Sequence, residues 1–260
     1  MIKGRKYHKA GNNYDEYYTT IEEVEFVFNT ILDENFKDKI LYCPFDGEES
    51  AFVKYIKEHK EIGYKELWFT SDDFKNHEDL IEKADVIISN PPFSLLIKEI
   101  LPMMKKYNKK FFLFGSIGNI EGYIRIYKPY EVKYMRRGEF KFIMSHINEQ
   151  TGDYWCYVAC TLYMTNLGVK ESFKQMKPNK KFLSKSFDEI EHVYDQDGVL
   201  TIDKMMNFPN DYYDIVRAPV TLLEHKYMKY VEFIEREKMP RDNYSDGKSR
   251  YLRFYFRRKK

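Results

Sequence analysis

Cysteine is scarce in this sequence, with three residues among 260, at Cys43, Cys156 and Cys160. They form no CxxC pair, and no histidine stands near them at metal-ligand spacing. The sequence therefore indicates neither a disulfide framework nor a zinc site. We expect reduced thiols, no bound metal and a cytoplasmic protein.

Long hydrophobic runs are also missing. The first residues, Met1 to Lys6, lead into polar sequence rather than into the apolar segment of a signal peptide. No later stretch is long and apolar enough to span a bilayer, so we expect no membrane partner. The excess of charge is small as well, since 43 basic and 41 acidic residues give a net charge of +2. On its own, that value is weak evidence for a polyanionic partner.

The charge is nevertheless distributed unevenly, and aromatic residues are abundant at 17% of the chain. Basic residues cluster within 3–9 and again within 248–260, where aromatic residues alternate with them. Arg136, Arg137 and Lys141 form a further basic group. These side chains could anchor DNA phosphates or read bases, and they could equally be solvated surface charge.

Hydrophobic periodicity predicts an alternation of strands and helices in the first half of the chain. Short apolar runs that end at turn residues predict buried strands, and these lie at 39–43, 67–70, 84–89 and 110–114. Helical spacing predicts helices at 20–33, opened by a capping box at Thr20 to Glu23, at 49–60, and from about Ser94. This alternation indicates an α/β fold with a mainly parallel sheet covered on both faces.

The pattern changes after about residue 120, where longer tyrosine-rich stretches such as 155–163 suggest antiparallel strands that complete or extend the sheet. We therefore predict a ligand-binding and catalytic α/β core over 1–120. Residues 121–260 would supply the remainder of the sheet and further recognition elements, packed with the core as one compact unit. Long loops are expected near 168–185 and 238–249.

The segment Ser89-Asn90-Pro91-Pro92-Phe93 directly follows a predicted buried strand and precedes a predicted helix. It should therefore lie at the carboxyl edge of the sheet, where open α/β folds bind ligands. Two consecutive prolines remove two backbone donors and fix the shape of the segment, which leaves carbonyl oxygens to accept hydrogen bonds from a ligand. A strand-ending turn stopped by two prolines is the simpler reading of the same residues.

These features resemble the N6-adenine DNA methyltransferases of the EcoRI type. The resemblance spans about residues 15–257 and is carried by segments 15–19, 39–46, 73–74, 84–95, 114–119, 164–167, 208–212 and 218–221. It implies a Rossmann-like methyltransferase fold that uses S-adenosylmethionine, with double-stranded DNA as the partner of a monomer or dimer. It also implies that Asn90 and the Pro91 carbonyl, shaped by Pro92, hold the amino group of a flipped adenine while Phe93 stacks on the base.

The same resemblance implies a set of cofactor-binding residues, which are Tyr18, Thr19, Cys43, Asp46, Asp73 and Phe74. Thr19 could instead cap the first helix, Asp46 could be a turn aspartate, and Asp73 could begin a helix. Cys43 is expected to be a small buried side chain of this site rather than a reactive thiol. The loop after the first strand contains one glycine, Gly47, where many methyltransferases have a glycine-rich loop.

Two further points stay open in the sequence. Tyr123 could fill the gap that a flipped base leaves in the duplex, although many other tyrosines could do so. Asparagine at position 90 favours adenine over the N4 of cytosine as the methylated group. Two alternatives to a DNA methyltransferase stay open: an enzyme that methylates a protein glutamine, and a catalytically silent homologue that only binds DNA.

Overall fold

The computed structural model describes residues 17–72, 74–135, 140–144, 155–158, 161–170, 179–195, 197–224, 226–235 and 253–260. The chain forms two compact units, which comprise residues 1–170 and 171–260. In the described part, no helix is both long and apolar enough to cross a membrane.

The first unit contains nine of the described strands and six described helices. The strands are β1 Tyr17–Thr19, β2 Ile40–Pro44, β3 Glu66–Thr70, β4 Val86–Ser89, β5 Lys110–Ser116, β6 Lys133–Met135, β7 Phe140–Met144, β8 Trp155–Val158 and β9 Thr161–Thr165. The helices are α1 Ile21–Thr30, α2 Ala51–Glu58, α3 Glu78–Lys83, α4 Phe93–Leu95, α5 Leu101–Lys106 and α6 Ile120–Ile126, with a π-helical turn at Leu96–Ile100.

The central sheet has six strands in the order β3-β2-β4-β5-β9-β6. β3, β2, β4 and β5 pair in parallel, and β9 runs antiparallel to both of its neighbours, so β6 points in the same direction as the first four. The predicted α/β class with a mainly parallel sheet is confirmed. The chain passes from β2 to β3 on one side and then to β4 on the other, which makes the β2/β4 junction a topological switch point.

The strands of this sheet owe their position to continuous apolar sequence. All four residues of β4 are buried, as are four of the five in β2, because helices cover both faces of a parallel sheet. Aromatic rings fill the space over β5 and β9, where Tyr163 makes edge contacts with Phe114 at 4.9 Å and with Phe140 at 4.6 Å between ring centroids. The strand ends are thus held by a packed core.

Helix α1 is shorter than predicted, and its capping box does not form. Thr20 is the N-cap, but its side chain makes no capping bond and its hydroxyl donates to the Lys141 carbonyl at 3.4 Å. The Glu23 carboxylate is buried and accepts from the Tyr163 hydroxyl at 2.6 Å. At the other end, Ile31 leaves the helix for a β-bridge with Val169. Both ends of α1 are thus fixed by contacts with distant strands rather than by a local capping box.

The helix after the Asn-Pro-Pro-Phe segment begins at Phe93, with Pro92 as its N-cap rather than Ser94. It continues as the π turn at Leu96–Ile100, which ends two residues before Pro102. Proline has no backbone N–H to donate and crowds the carbonyl four residues earlier, so a regular α-helical turn is disfavoured there. The predicted helix is therefore present but irregular.

The tyrosine-rich stretch 155–163, read as one extended segment, contributes to two different sheets. β8 joins a three-stranded antiparallel sheet in the order β1-β7-β8, whereas β9 enters the central sheet between β5 and β6. The predicted antiparallel strands are therefore present, and residues up to 170 belong to the first unit. The functional division proposed near residue 120 does not coincide with this structural one.

The second unit is built on a five-stranded sheet. Its strands are β10 Val193–Tyr194, β11 Leu200–Thr201, β12 Val216–Pro219, β13 Val231–Ile234 and β14 Arg253–Arg258, in the order β10-β11-β12-β14-β13. Arg217 and Arg253 are buried within it, and Arg253 pairs with Asp203. The loop predicted at 238–249 lies outside the described residues, as do residues 171–178 of the loop predicted at 168–185.

Candidate active site

Two chain segments from the resemblance meet at the carboxyl ends of β2 and β4. β2 ends at Pro44 and continues into the turn at 45–50, and β4 ends at Ser89 and continues into Asn90. These strands are neighbours and parallel, so both turns leave the same edge of the sheet. In an open α/β sheet, the crevice at such a switch point is the usual place for a ligand.

A buried hydrogen bond joins the two strand ends. The Ser89 hydroxyl donates to the carbonyl oxygen of Pro44 at 2.6 Å, and Ser89 is fully buried. Because both residues are the last of their strands, this bond fixes the starting points of the two turns relative to each other. The sequence placed Ser89 in the motif but gave it no task.

The Asn-Pro-Pro-Phe segment lies at the mouth of this crevice. Asn90 is partly exposed, Pro91 is buried, and Pro92 and Phe93 are partly exposed. The Pro92 carbonyl accepts from the Leu95 N–H at 3.0 Å and so begins the helix. The segment is anchored by Pro91 and by the helix, and it presents Asn90 and Phe93 at the surface of the site.

The turn after β2 is strained at Phe45, whose φ of 69° lies in the left-handed region. A bulky residue rarely adopts this conformation, and such strain is found most often at functional sites. The Phe45 ring packs on Phe74, with 5.1 Å between the centroids. Phe74 is 1% exposed, so in this conformation its ring lies behind Phe45 rather than facing a ligand. The packing of Phe74 on a cofactor ring stays a prediction, and it would require the Phe45 ring to move.

Asp46 carries the unusual electrostatics of the site. Its Oδ2 atom is buried, and no hydrogen-bond donor reaches it from the described residues. Burial raises the pKa of Asp46 to about 7, and a hydrogen bond from the Ser50 hydroxyl opposes that shift. Ser50 also caps α2 by accepting from the Val53 N–H at 3.2 Å. A buried carboxylate oxygen without a donor is suited to a ligand that brings a cation or an N–H.

Cys43 immediately precedes this turn and is fully buried. Burial, with the nearby Asp46 charge, raises the pKa of the Cys43 thiol well above its usual value. A neutral, enclosed thiol is unreactive and exposes no surface to a ligand. Cys43 is therefore a small apolar side chain of the core beside the site.

Tyr18 and Thr19 lie on β1, outside the central sheet. Tyr18 is 54% exposed, and Thr19 pairs with Phe142 of β7 instead of capping α1. The helix that follows is tied to the central sheet through the bond between Glu23 and Tyr163.

The remaining sequence-predicted residues divide into three groups. Asp73, Arg136 and Arg137 lie outside the described residues. Lys141 lies on β7, and its backbone N–H donates to Glu23 at 3.3 Å. Tyr123 is fully buried, and its hydroxyl accepts from the backbone N–H of Ser116 at 3.1 Å. That side chain is part of the core in this conformation, and its entry into a duplex stays a prediction.

The opposite edge of the sheet contains a set of structural polar bonds. Asn166 accepts from the Phe111 N–H and donates to the Lys109 carbonyl, each at 2.8 Å. The buried Thr165 hydroxyl donates to the Phe111 carbonyl at 2.6 Å. These contacts give the resemblance over 164–167 a structural explanation, since they fasten β9 to β5 far from the crevice.

No group of three or more His, Cys, Asp or Glu side chains arranged to hold a metal ion occurs in the described part of the chain. The polar side chains at the crevice come from two strand ends, Asp46 and Ser50 after β2, and Ser89 and Asn90 at the end of β4.

Comparison with known proteins decides the family. Residues 56–253 match the family described as adenine-specific methyltransferase EcoRI. The chain belongs to this family. The match covers most of the chain and includes the whole Asn-Pro-Pro-Phe segment, which confirms the resemblance read from the sequence. The central sheet, with antiparallel β9 inserted beside β5, accordingly forms a Rossmann-like methyltransferase fold.

Several relatives match over nearly their full length. The Type II methyltransferase M.EcoRI of Escherichia coli is 26% identical, over 97% of this chain and 96% of its own. The Type II methyltransferases M.MgeORF184P of Mycoplasma genitalium and M.MpnI of Mycoplasma pneumoniae are 23% and 22% identical, over 87% of this chain and 84% and 83% of theirs.

One solved structure, assigned as an RNA methyltransferase from Pyrococcus horikoshii, is 12% identical and covers 59% of this chain and 87% of its own, with a TM-score of 0.38. A TM-score this low supports no conclusion about this chain.

Proposed function

We propose that this methyltransferase transfers the methyl group of S-adenosylmethionine to the N6 atom of an adenine flipped out of duplex DNA at a specific site. The observation that carries the proposal is the position of Asn90 to Phe93 at the topological switch point, beside the Asp46 turn, in a chain of the adenine-specific family. The proposal gives each of these residues a separate task.

Asn90 and Pro91 would hold the target amino group. The Asn90 Oδ1 and the Pro91 carbonyl can each accept one of the two N6 hydrogens, which draws the nitrogen lone pair out of conjugation with the ring. The Pro92 carbonyl already accepts from Leu95, so it is not required for this task. Phe93 would stack on the base, an interaction worth about 1–3 kcal/mol in single-stranded complexes.

Asp46 would hold the cofactor. Its buried Oδ2 lacks a donor among the described residues, which fits the amino group of S-adenosylmethionine. When bound, the cofactor supplies an electrophilic sulfonium methyl group for direct displacement by the amine, so no protein nucleophile is needed. Ser50 would keep the second Asp46 oxygen in place by donating to it. Tyr18, Thr19 and Asp73 remain proposed contacts for other parts of the cofactor.

DNA recognition would depend on the basic residues and on the second unit. Extraction of a base requires that the duplex be held on both sides of the target, and phosphate contacts from lysine and arginine provide that hold. Lys141 on β7, with Arg136 and Arg137, is proposed to contribute in the first unit. The basic stretch at 248–260 is proposed to contribute in the second.

The test is methyl transfer from radiolabelled S-adenosylmethionine to duplex DNA of mixed sequence, followed by digestion to nucleosides. Wild-type protein should place label in N6-methyl-2′-deoxyadenosine. Asn90→Ala should reduce the rate by about 100-fold or more, the usual effect of removing one group that stabilises a transition state. Asn166→Ala is the matched control, because Asn166 is an asparagine of the same sheet whose amide makes structural bonds at the opposite edge.

The control variant should unfold at a lower temperature but keep its rate when assayed folded. Label in N4-methylcytosine would move the target to cytosine. Absence of label in every nucleic acid, despite cofactor binding, would refute the proposal and favour a protein substrate or a silent homologue. Equal rates for wild type and Asn90→Ala would refute the role of Asn90.

A further inference from the structure

The ladder between β2 and β4 stops before either strand ends. Among the described residues, Leu41 and Tyr42 pair with Val86 and Ile87, and no pairing is formed beyond Tyr42. On their other sides both strands pair to their last residue, β2 with β3 and β4 with β5. The gap therefore opens specifically at the switch point, where the crevice lies.

Pro44 explains why the backbone pairing between β2 and β4 stops, and the Ser89 side chain bridges the two strands at that point. Proline has no backbone N–H, so a ladder bond from Pro44 is impossible. In its place the Ser89 hydroxyl donates to the Pro44 carbonyl at 2.6 Å, from a fully buried side chain. A side chain thus supplies a cross-strand bond where the backbone cannot.

We propose that Ser89 is a positioning residue for methyl transfer, whose hydroxyl sets the distance between the cofactor turn that begins at Pro44 and the target segment that begins at Asn90. This inference rests on the proposed function, in which Asp46 lies two residues after Pro44. This hydrogen bond joins the segment that would hold the methyl donor to the segment that would hold the acceptor.

The consequence for the reaction follows from geometry. Displacement at a methyl group requires the attacking nitrogen to be in line with the leaving sulfur and close to the carbon. A misplacement of about 1 Å can lower a rate by about 100-fold. If the hydroxyl is removed, the carboxyl ends of β2 and β4 remain held by different neighbours, β3 and β5, and can move apart. Loss of the hydroxyl should then affect the chemical step more than DNA binding.

The test compares Ser89→Ala with Thr165→Val, both assayed at a temperature where circular dichroism shows them folded. Thr165 is the matched control because its buried hydroxyl also donates to a backbone carbonyl at 2.6 Å in the same sheet, but at the opposite edge. We expect Ser89→Ala to lower kcat by about 10-fold to 100-fold and to raise the KM for S-adenosylmethionine, with the KM for DNA unchanged. Thr165→Val should leave kcat, the KM for S-adenosylmethionine and the KM for DNA unchanged.

Rescue provides a second readout. Ser89→Thr restores a hydroxyl and should recover kcat above that of Ser89→Ala. If the alanine variant does not fold, Ser89→Cys, which has similar size and a weaker donor, replaces it. The inference is overturned if Ser89→Ala only unfolds earlier, as Thr165→Val does, while kcat and both KM values stay at wild-type levels.

Two measurements separate this inference from the proposed function, because they need no turnover. Amide hydrogen exchange of the peptide covering 44–50 should accelerate in Ser89→Ala and not in Thr165→Val. Calorimetric affinity for S-adenosylhomocysteine should fall by about tenfold, the equivalent of one lost buried hydrogen bond. If wild-type protein methylates no DNA, the proposed function fails, and these two results still decide whether Ser89 couples the turns. Unchanged exchange and affinity would overturn the coupling.

Discussion

Replacing Asp46 by asparagine should stabilise the free protein while weakening its hold on the cofactor. Burial raises the pKa of Asp46 from its ordinary value of 3.8 to about 7. The unfolded chain therefore ionises this carboxyl at lower pH than the folded chain does. The carboxyl destabilises the fold increasingly as the pH rises from about 4 to about 7, and the penalty persists above that range.

The size of the effect follows from the shift. Each pKa unit corresponds to about 1.4 kcal/mol, so the penalty at pH 8 is at most about 4 kcal/mol. Asparagine has nearly the same shape and no charge, so it removes this penalty. With about 2–4 °C per kcal/mol for a chain of this size, Asp46→Asn should raise the Tm at pH 8 by at most about 8–16 °C. The difference from wild type should disappear near pH 4.

Cofactor affinity should change in the opposite direction. A cationic amino group beside Oδ2 favours the ionised carboxylate, so wild-type affinity for S-adenosylhomocysteine should rise with pH up to about 7 and then level off. Asp46→Asn should bind more weakly at pH 8 and show no such rise. Thermal unfolding and titration calorimetry between pH 4.5 and 8.5 measure both quantities. Asp188→Asn, an exposed aspartate, controls for the loss of one surface charge.

Two results would refute this reasoning. A Tm difference between Asp46→Asn and wild type that does not vary with pH would mean that the carboxyl is not destabilising through its buried charge. Equal affinities at pH 8 would mean that Asp46 does not contact the cofactor, even if the stability result held. The two arms therefore test the burial and the binding role separately.

Two substitutions test the packing beside the site. Tyr123→Phe removes the hydroxyl that accepts from the Ser116 N–H, so it should lower the stability of the fold by about 1–3 kcal/mol. The affinity for DNA should stay unchanged. Weaker DNA binding at an unchanged Tm would show that the Tyr123 side chain reaches DNA. A methyl group at Gly122 would overlap Ile97 of the π turn. This overpacking should cost about 1–3 kcal/mol, which exceeds the gain in helix propensity from alanine. Gly122→Ala should therefore lower the stability of the fold by about 1 kcal/mol. A higher Tm would show that Ile97 moves aside freely.

The sequence predicted the four parallel strands β2, β3, β4 and β5 of the central sheet within two residues at each end, because a strand buried on both faces is a short apolar run. The prediction at 110–114 corresponds to β5, which continues to Ser116. The predicted C-terminal end of helix α1 was three residues too late, because the helix ends where Ile31 pairs with the distant Val169, which no local pattern reveals. The division of 155–163 between two sheets was missed for the same reason.

In the candidate site, too, the sequence predicted what neighbouring residues determine and missed what contacts between distant residues determine. Asn90 and its prolines could be placed at a strand end because the strand and the motif are adjacent in sequence. The burial of Phe74 behind Phe45 depends on two segments that are far apart in the chain. A polar residue at the end of an apolar strand was the available signal for Ser89, since a buried hydroxyl requires a partner.

The switch point explains why these polar groups occur together. At the junction of β2 and β4, successive chain connections leave in opposite directions, so no loop crosses the end of the sheet and a crevice remains. A crevice between two strands is useful for methyl transfer only if donor and acceptor are held by different strands at a fixed separation. Pro44 ends the backbone ladder and thereby opens the crevice, while the Ser89 hydroxyl limits how far it opens. The same pair of residues would therefore provide both the space for the two substrates and the constraint on their distance.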